Sequence, residues 1–412
     1  MPQPSFTLAA DSPALRAGLE RIRAEFEVPG PFAPEVEADA TVAAEAVLSQ
    51  LDGPERVDAR DVPFVTIDPP GSRDLDQALA IEARGSGWRV RYAIADVPAF
   101  VRPGSALDAA VHERGVTFYL PDERAPLHPP VLGEGAASLL PDEDRPALLW
   151  EIDLDADGRV ESTALRRAVV RSRAQLTYDG VQAAVDRGTD DPTLQGLARV
   201  GALRQALEAE RDGVSLDLPA QEVVRGPDGR WGLEHEQVVP AMGWNAQISL
   251  LTGMVAAEAM LEAGVGLLRT LPPPEDEVVR RVRRGAKALG VPWPEGHTYQ
   301  RFVRGLDGSD PDELAVLMLA ARGLRGAGYL ALAPGHPVPE DQAALRHAAV
   351  AAPYAHVTAP LRRLCDRAAL EVCRAVFAGR EVPAEVVAAL EELPKTMART
   401  RAREGGAARA AV

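Results

Sequence analysis

The chain has 412 residues, 46% of them hydrophobic and 26% charged, with a formal net charge of −16. That balance excludes a disordered chain and a generally basic nucleic-acid coat, though not local basic patches. No run of about 18 apolar residues is present and the first twenty residues carry no leader pattern, so a cytoplasmic protein with no membrane partner is expected.

Residues 1–60 read as a small helical N-terminal module. "SPALRAGLERIRAEFEV" opens on Ser12-Pro13 with apolar positions at helical spacing, and Pro29-Gly30-Pro31 ends it. "APEVEADATVAAEAVLSQL" reads as a second helix closed by Asp52-Gly53-Pro54. A docking module is the first reading; a helix-turn-helix is the second, and its acidity counts against it.

From Val62 the period changes. "VPFVTI" is a short buried strand. "QALAIEA" and "WRVRYAIA" flank Arg84-Gly85-Ser86-Gly87 as a hairpin, and "ALLWEIDLD" with "VESTALRRAVV" makes another. "DPTLQGLARVGALRQALEAER" is helical, and a strand pair is expected around Pro227-Asp228-Gly229. Helices follow at about 241–263, 275–289, 312–326 and 358–378 by the same periodicity. Strands early and helices late give an α+β class, a mixed or antiparallel sheet surrounded by helices. The main domain is set at 61–394, and 395–412 reads as a basic helical tail.

"TIDPPGSRDLDQAL", residues 66–79, places Asp68, Asp74, Asp76 and Gln77 around a Pro-Pro-Gly-Ser turn. Asp74 and Asp76 share a side if extended, and the turn folds Asp68 toward them. Mutual repulsion on a rigid strand mount suits a hard divalent cation, which takes oxygen ligands. An EF-hand fails, because its sixth and twelfth positions would be Leu79 and Gly85. The bland alternative is a solvated turn of backbone-bonding aspartates.

Cys365 and Cys373 lie about 12 Å apart on one helix, too far for a disulfide, and read as buried inert thiols. "HVTAPLRRLCDR" reads as a helix start, with Thr358 as N-cap and Pro360 in the first turn. Arg362 and Arg363 would then sit where a helix N-terminus favours anions. The bland reading is an Arg362–Asp366 surface pair. "RRAVVRSR", with Arg171 and Arg173, lies in a strand region and is a channel candidate; "RRVRRGAK" reads as a helix complementing its own dipole.

The aspartate segment resembles the signature of the ribonuclease II/ribonuclease R family, the RNB-domain exoribonucleases. The likeness continues through "YAIADVPAFVRPGSALD", "RGVTFYLPDERAPLHPPVL" and "ASLLPDEDRPALLWEIDLD", and returns at "PYAHVTAPLRRLCDRAALEV". It implies magnesium-dependent 3′–5′ hydrolysis of single-stranded RNA to 5′-mononucleotides. It implies one or two Mg2+ ions, with Asp68 and Asp76 holding metal, Asp74 supporting them and Asp76 helping position water. Arg362 would contact the scissile phosphate, and Tyr119 would stack on the terminal nucleotide. Arg363, Arg171 and Arg173 would contribute RNA contacts, and a monomer is expected. The family pattern ends in two adjacent aspartates, where this chain has Asp76-Gln77; Gln77 is carried as a neutral ligand.

The resemblance also implies cold-shock barrels before the catalytic domain and another OB barrel after it. Sixty helix-like residues cannot hold two barrels; the tail is expected to be a linker to a following OB barrel that is either absent or truncated. Fewer barrels would open the channel mouth to structured RNA. The rival readings are a catalytically weak RNA-binding or regulatory protein on the same fold, and a metal-dependent phosphoesterase acting on DNA or small nucleotides.

Overall fold

The computed structural model describes residues 13–215, 221–225, 231–235, 238–334 and 338–411. Helices α1 (Pro13–Glu25) and α2 (Pro34–Leu48) come first. Then come β1 (Val57–Ile67), β2 (Gln77–Arg84), β3 (Gly87–Ala95) and α3 (Ala106–Arg114). The two-residue strands β4 (Phe118–Tyr119) and β5 (Arg124–Ala125) precede the long β6 (Asp144–Leu154) and β7 (Val160–Leu176). Next are α4 (Tyr178–Asp186), α5 (Pro192–Glu210), β8 (Gln221–Arg225), β9 (Trp231–His235), α6 (Pro240–Ala263) and β10 (Gly266–Thr270). The chain continues through α7 (Asp276–Ala288), α8 (Tyr299–Arg304), α9 (Pro311–Ala320), β11 (Gly328–Leu332), α10 (Leu364–Phe377) and α11 (Ala384–Ala411).

The expected sheet is a closed five-stranded barrel in the order β1-β2-β3-β6-β7. Its neighbours are antiparallel except β1 and β7, which run parallel and close the seam from Val57↔Ala168 to Ile67↔Leu176. Closure leaves no exposed sheet edge. The β1 register shifts between Ala59 and Phe64, where Pro63 sits. Proline has no N–H to give a ladder, so an irregularity is where a strand tolerates it. Trp150 on β6 is buried and meets Phe377 of α10 edge-on at 5.3 Å. Helix α6 is buried along most of its length and packs against α4, α5, α10 and β10, as a helix apolar nearly all round must. Among the described residues no helix is long and apolar enough to cross a membrane.

Several expected boundaries move. Helix α10 starts at Leu364, with Arg363 rather than Thr358 at its cap. The backbone of 358–363 is already engaged: Leu361 N–H donates to Asp76, Ala359 N–H to Asp366, and Thr117 N–H to the Arg362 carbonyl. Residues 395–411 are no separate tail but continue α11 through Pro394, with Met397, Thr400 and Ala407 buried. Val36, Ala40 and Ala44 of α2 join the main core, and Gly406 of α11 packs on Phe26. Ser12 and the turn at Pro227-Asp228-Gly229 lie outside the described residues, while β8 and β9 pair antiparallel as expected.

Candidate active site

The aspartate loop spans the gap between two barrel strands at one barrel end. Asp68 follows β1 directly, and its N–H donates to the Leu176 carbonyl at 3.0 Å, the last rung of the β1–β7 seam. Ser72 N–H closes a turn on the Pro69 carbonyl, with Gly71 at φ +80°. A Pro-Gly pair there is what a type II turn demands. Leu75 is fully buried and anchors the loop. Its N–H donates to Ser138 Oγ at 2.9 Å and its carbonyl accepts from Leu139 N–H at 3.0 Å. Asp76 is held from behind, its carbonyl accepting from Ala95 N–H at 2.9 Å.

The three carboxylates have different surroundings. Asp68 has no hydrogen-bonding or ion-pairing side-chain partner among the described residues. Burial pushes its pKa up to about 6, Arg362 pulls it back, and Asp74 adds to the rise. Asp76 is 3% exposed and takes the Leu361 N–H on Oδ1 at 2.7 Å. Its pKa rises to about 7, chiefly through burial, against the pull of Arg362. Asp74 is salt-bridged: Arg124 Nη1 lies 2.7 Å from Oδ1, and Arg124 Nη2 reaches Glu134 Oε1 at 2.6 Å. The oxygens of Asp68, Asp74 and Asp76 do not all lie within 4.8 Å of one another.

Arg362 sits beside the cluster, Nε 3.5 Å from Asp76 Oδ2, with its side chain half exposed. It lies just outside α10, held by Leu361 N–H on Asp76 and by Thr117 N–H on its own carbonyl. Tyr119 stands at the rim, 46% exposed, its hydroxyl 3.5 Å from Asp74 Oδ2. The β4–β5 hairpin that carries it pairs Tyr119 directly with Arg124. Arg23 of α1 anchors the turn through Asp122 at 2.7 Å.

Other expected residues go elsewhere. Gln77 opens β2, and its amide is bonded at both ends: Nε2 donates to the Thr358 carbonyl at 2.6 Å, and Oε1 accepts from Tyr92 at 2.7 Å. Arg363 makes two 2.8 Å bonds to the buried Asp366, so Arg363, not Arg362, forms the local pair. Arg171 bonds Asp144 at 2.7 Å and Arg173 reaches the Asp61 carbonyl at 3.2 Å. Arg171 precedes Leu176 by five strand residues, about 16 Å at strand rise, so it does not join the cluster. Arg280 and Arg284 turn to Glu277 on α7.

Beneath Arg362, His356, Cys365 and Asp366 bring ligand-type atoms within 4.8 Å. Asp366, however, already holds the Arg363 guanidinium and the Ala359 N–H. The Tyr329 hydroxyl bridges His356 Nδ1 at 2.8 Å and Cys365 Sγ at 3.4 Å. Burial pushes the Cys365 thiol well up and the His356 imidazole well down. Protonated thiol, neutral imidazole and a resident guanidinium make a brace, not a cation site. Both cysteines are free and buried.

Periodicity and motif spacing assign no site role to Arg124, Glu134 or Asp366, although Arg124 and Asp366 fall in family-like stretches. The Arg124–Asp74 contact spans fifty residues, Glu134 joins it only through Arg124, and Asp366 reads locally as an exposed i,i+4 partner.

A barrel whose end carries a cluster of aspartates, one of them buried, beside an arginine belongs to a defined class. Residues 56–377 match the RNB domain, and the chain belongs to the RNB-domain family. It is 30% identical over 328 residues to ribonuclease R of Escherichia coli, spanning 76% of this chain and 39% of that protein. In fold it is similar to Mycoplasma genitalium RNase R in complex with ribose-methylated single-stranded RNA, at TM-score 0.84 and 20% identity, over 96% of this chain and 63% of that one. Yeast Ssd1, a pseudonuclease, shares the fold at TM-score 0.75 and 16% identity, over 98% and 50% of the two chains. The chain thus spans less than half the length of the E. coli relative.

Proposed function

We propose that the chain is a divalent-metal-dependent 3′–5′ exoribonuclease that hydrolyses RNA processively to 5′-mononucleotides. One observation carries the reading: the partly buried Asp68 and the buried Asp76 stand at the barrel end near the half-exposed guanidinium of Arg362. Buried carboxylates without full compensation are costly unless a cation accompanies them. The donors are all oxygen, which suits magnesium rather than a thiophilic metal. Asp68 and Asp76 would hold the ion, which when bound polarises a phosphoryl oxygen and activates water.

The chain's own residues do the rest. Arg362, fixed by the 358–363 backbone, would donate to the scissile phosphate and offset charge that develops there. Water adds to phosphorus, the P–O3′ bond breaks, and the leaving 3′ oxygen takes up a proton. The phosphate stays on the 5′ side of the released nucleotide. Tyr119 at the rim would stack on the terminal base whatever its identity, which suits stepwise removal. That RNB relatives include ribonucleases R, one of them solved with single-stranded RNA, supports RNA as the substrate.

A labelled RNA and its DNA counterpart, each incubated with magnesium or EDTA and resolved by length, test this. Mononucleotides from RNA alone, and only with magnesium, are expected. Asp76→Asn should abolish hydrolysis and leave RNA binding intact; normal turnover would sink the metal assignment. Gln77, bonded at both ends, favours the second reading, an RNA-binding protein with weak or no catalysis. That reading predicts RNA retention without cleavage under the same conditions.

A further inference from the structure

We propose that the buried His128 is a positioning residue for Arg362, tethering the peptide that carries its guanidinium. The inference rests on the role of Arg362 in the reading above.

His128 lies in residues 126–130, just after β5, and is 2% exposed. Its Nδ1 is 3.1 Å from the Leu361 carbonyl. A carbonyl oxygen only accepts, so Nδ1 carries the proton. Burial lowers the imidazole pKa to about 4, against the pull of the Leu361 bond and with help from Arg367 and Arg114. The ring is therefore neutral at neutral pH. Its Nε2 is then a buried lone pair with no partner among the described residues. Packing alone does not ask for this, since a leucine would fill the place without stranding a polar atom. What the histidine adds is one bond, to Leu361.

That bond falls on the peptide between Leu361 and Arg362. Leu361 is held at its N–H by Asp76 and at its carbonyl by His128. The segment around His128 grips Arg362 from the other side as well. Thr117 N–H donates to the Arg362 carbonyl at 3.0 Å, Leu364 N–H donates to the Gly115 carbonyl at 2.9 Å, and Val116 bridges Arg363. Leu127 N–H donates to Thr117 Oγ1 at 3.0 Å, which ties the two ends of the β4–β5 hairpin together next to His128. The carbonyls of Leu361 and Arg362 are thus both bonded to the stretch that carries Tyr119. Among the described residues the Arg362 side chain makes one ion pair, 3.5 Å from Asp76, so its aim is set by its backbone.

Three substitutions separate positioning from packing. The amide nitrogen of Asn overlies the imidazole Nδ1, that of Gln overlies Nε2, and Leu offers neither. On single-stranded RNA with magnesium, His128→Leu and His128→Gln should lower kcat by about ten- to a hundredfold, the scale of a misplaced group, with little change in KM. His128→Asn should lose least, although it leaves the largest void. In an Arg362→Ala background His128→Leu should cost less than about twofold more, because residues acting as a unit are not additive. Losses that multiply, or a His128→Asn chain no better than His128→Gln, would overturn the inference. A long-range proton–nitrogen correlation spectrum of the native chain needs no activity, with the His128 signal identified by its loss from His128→Asn. The Nδ1–H tautomer is expected at neutral pH, and an Nε2–H or charged ring would overturn the tether. A native chain that cleaves no RNA would overturn the exoribonuclease reading instead, and the tautomer would still decide the tether.

Discussion

The Tyr92 hydroxyl donates to Gln77 Oε1 at 2.7 Å and meets Ser249 of α6 at 2.9 Å, while Gln77 Nε2 holds the Thr358 carbonyl at 2.6 Å. One side chain thus ties the start of β2 to the central helix and to the segment that carries Arg362. Gln77→Ala leaves the Thr358 carbonyl without its donor, while Tyr92 keeps Ser249. A loss of about 1–3 kcal/mol is expected for such an unpaired group, read as a shift in urea midpoint. Gln77→Asp keeps an acceptor for Tyr92 but turns an oxygen toward the Thr358 carbonyl, so it should destabilise at least as much. If Gln77 were mainly a ligand, Gln77→Asp would instead change the magnesium concentration for half-maximal activity at unchanged stability.

How much of this was legible follows from how far apart the partners lie. The aspartate loop could be mounted on strands because "VPFVTI" and "QALAIEA" are local signals on either side of it. The barrel could not be foreseen, since its closure depends on β1 meeting β7 in parallel across a hundred residues. Thr358-Ala359-Pro360 reads like a cap, yet α10 starts at Leu364. In the fold, Asp76 and Asp366 take the amides of Leu361 and Ala359 that a helix would have used. Arg124 falls inside the family-like stretch "RGVTFYLPDERAPLHPPVL" without any role marked by periodicity or spacing; its contact with Asp74 comes from where the β4–β5 hairpin sets it.

The raised pKa values of Asp68 and Asp76, about 6 and about 7, make a signed prediction. An ordinary aspartate titrates near 4, so the folded chain holds protons that the unfolded chain has released. Between about pH 4 and pH 7 these two groups therefore cost stability as pH rises. In EDTA, Asp68→Asn should be more stable than the native chain at pH 7.5, and that advantage should shrink at pH 5. Denaturant midpoints at the two values check it; an advantage independent of pH would contradict the shift.

Arg362 and Arg363 are adjacent yet should behave as opposites. Arg362 is half exposed with one 3.5 Å contact to Asp76, so Arg362→Ala should lower kcat far more than it raises KM, with a smaller loss of stability than Arg363→Ala. Arg363 is bonded twice to Asp366, which is fully buried. Removing it strands a buried carboxylate, a loss of about 3–5 kcal/mol. Thermal melts beside steady-state kinetics separate the two, and a stable Arg363→Ala chain would refute the brace.

Tyr119 is the exposed aromatic at the rim, and its hydroxyl is 3.5 Å from Asp74, too long to bind firmly. Its contribution should come from the ring. Tyr119→Ala should weaken binding of single-stranded RNA by about 1–3 kcal/mol, nearly equally for each 3′-terminal base, because every base offers a π face. Tyr119→Phe should bind like the native chain. The register also matters, since Arg124 faces Tyr119 across β4 and β5. If Tyr119→Phe lost as much affinity as Tyr119→Ala, the hydroxyl contact to Asp74 would be carrying the binding, and stacking would not be the role of this side chain.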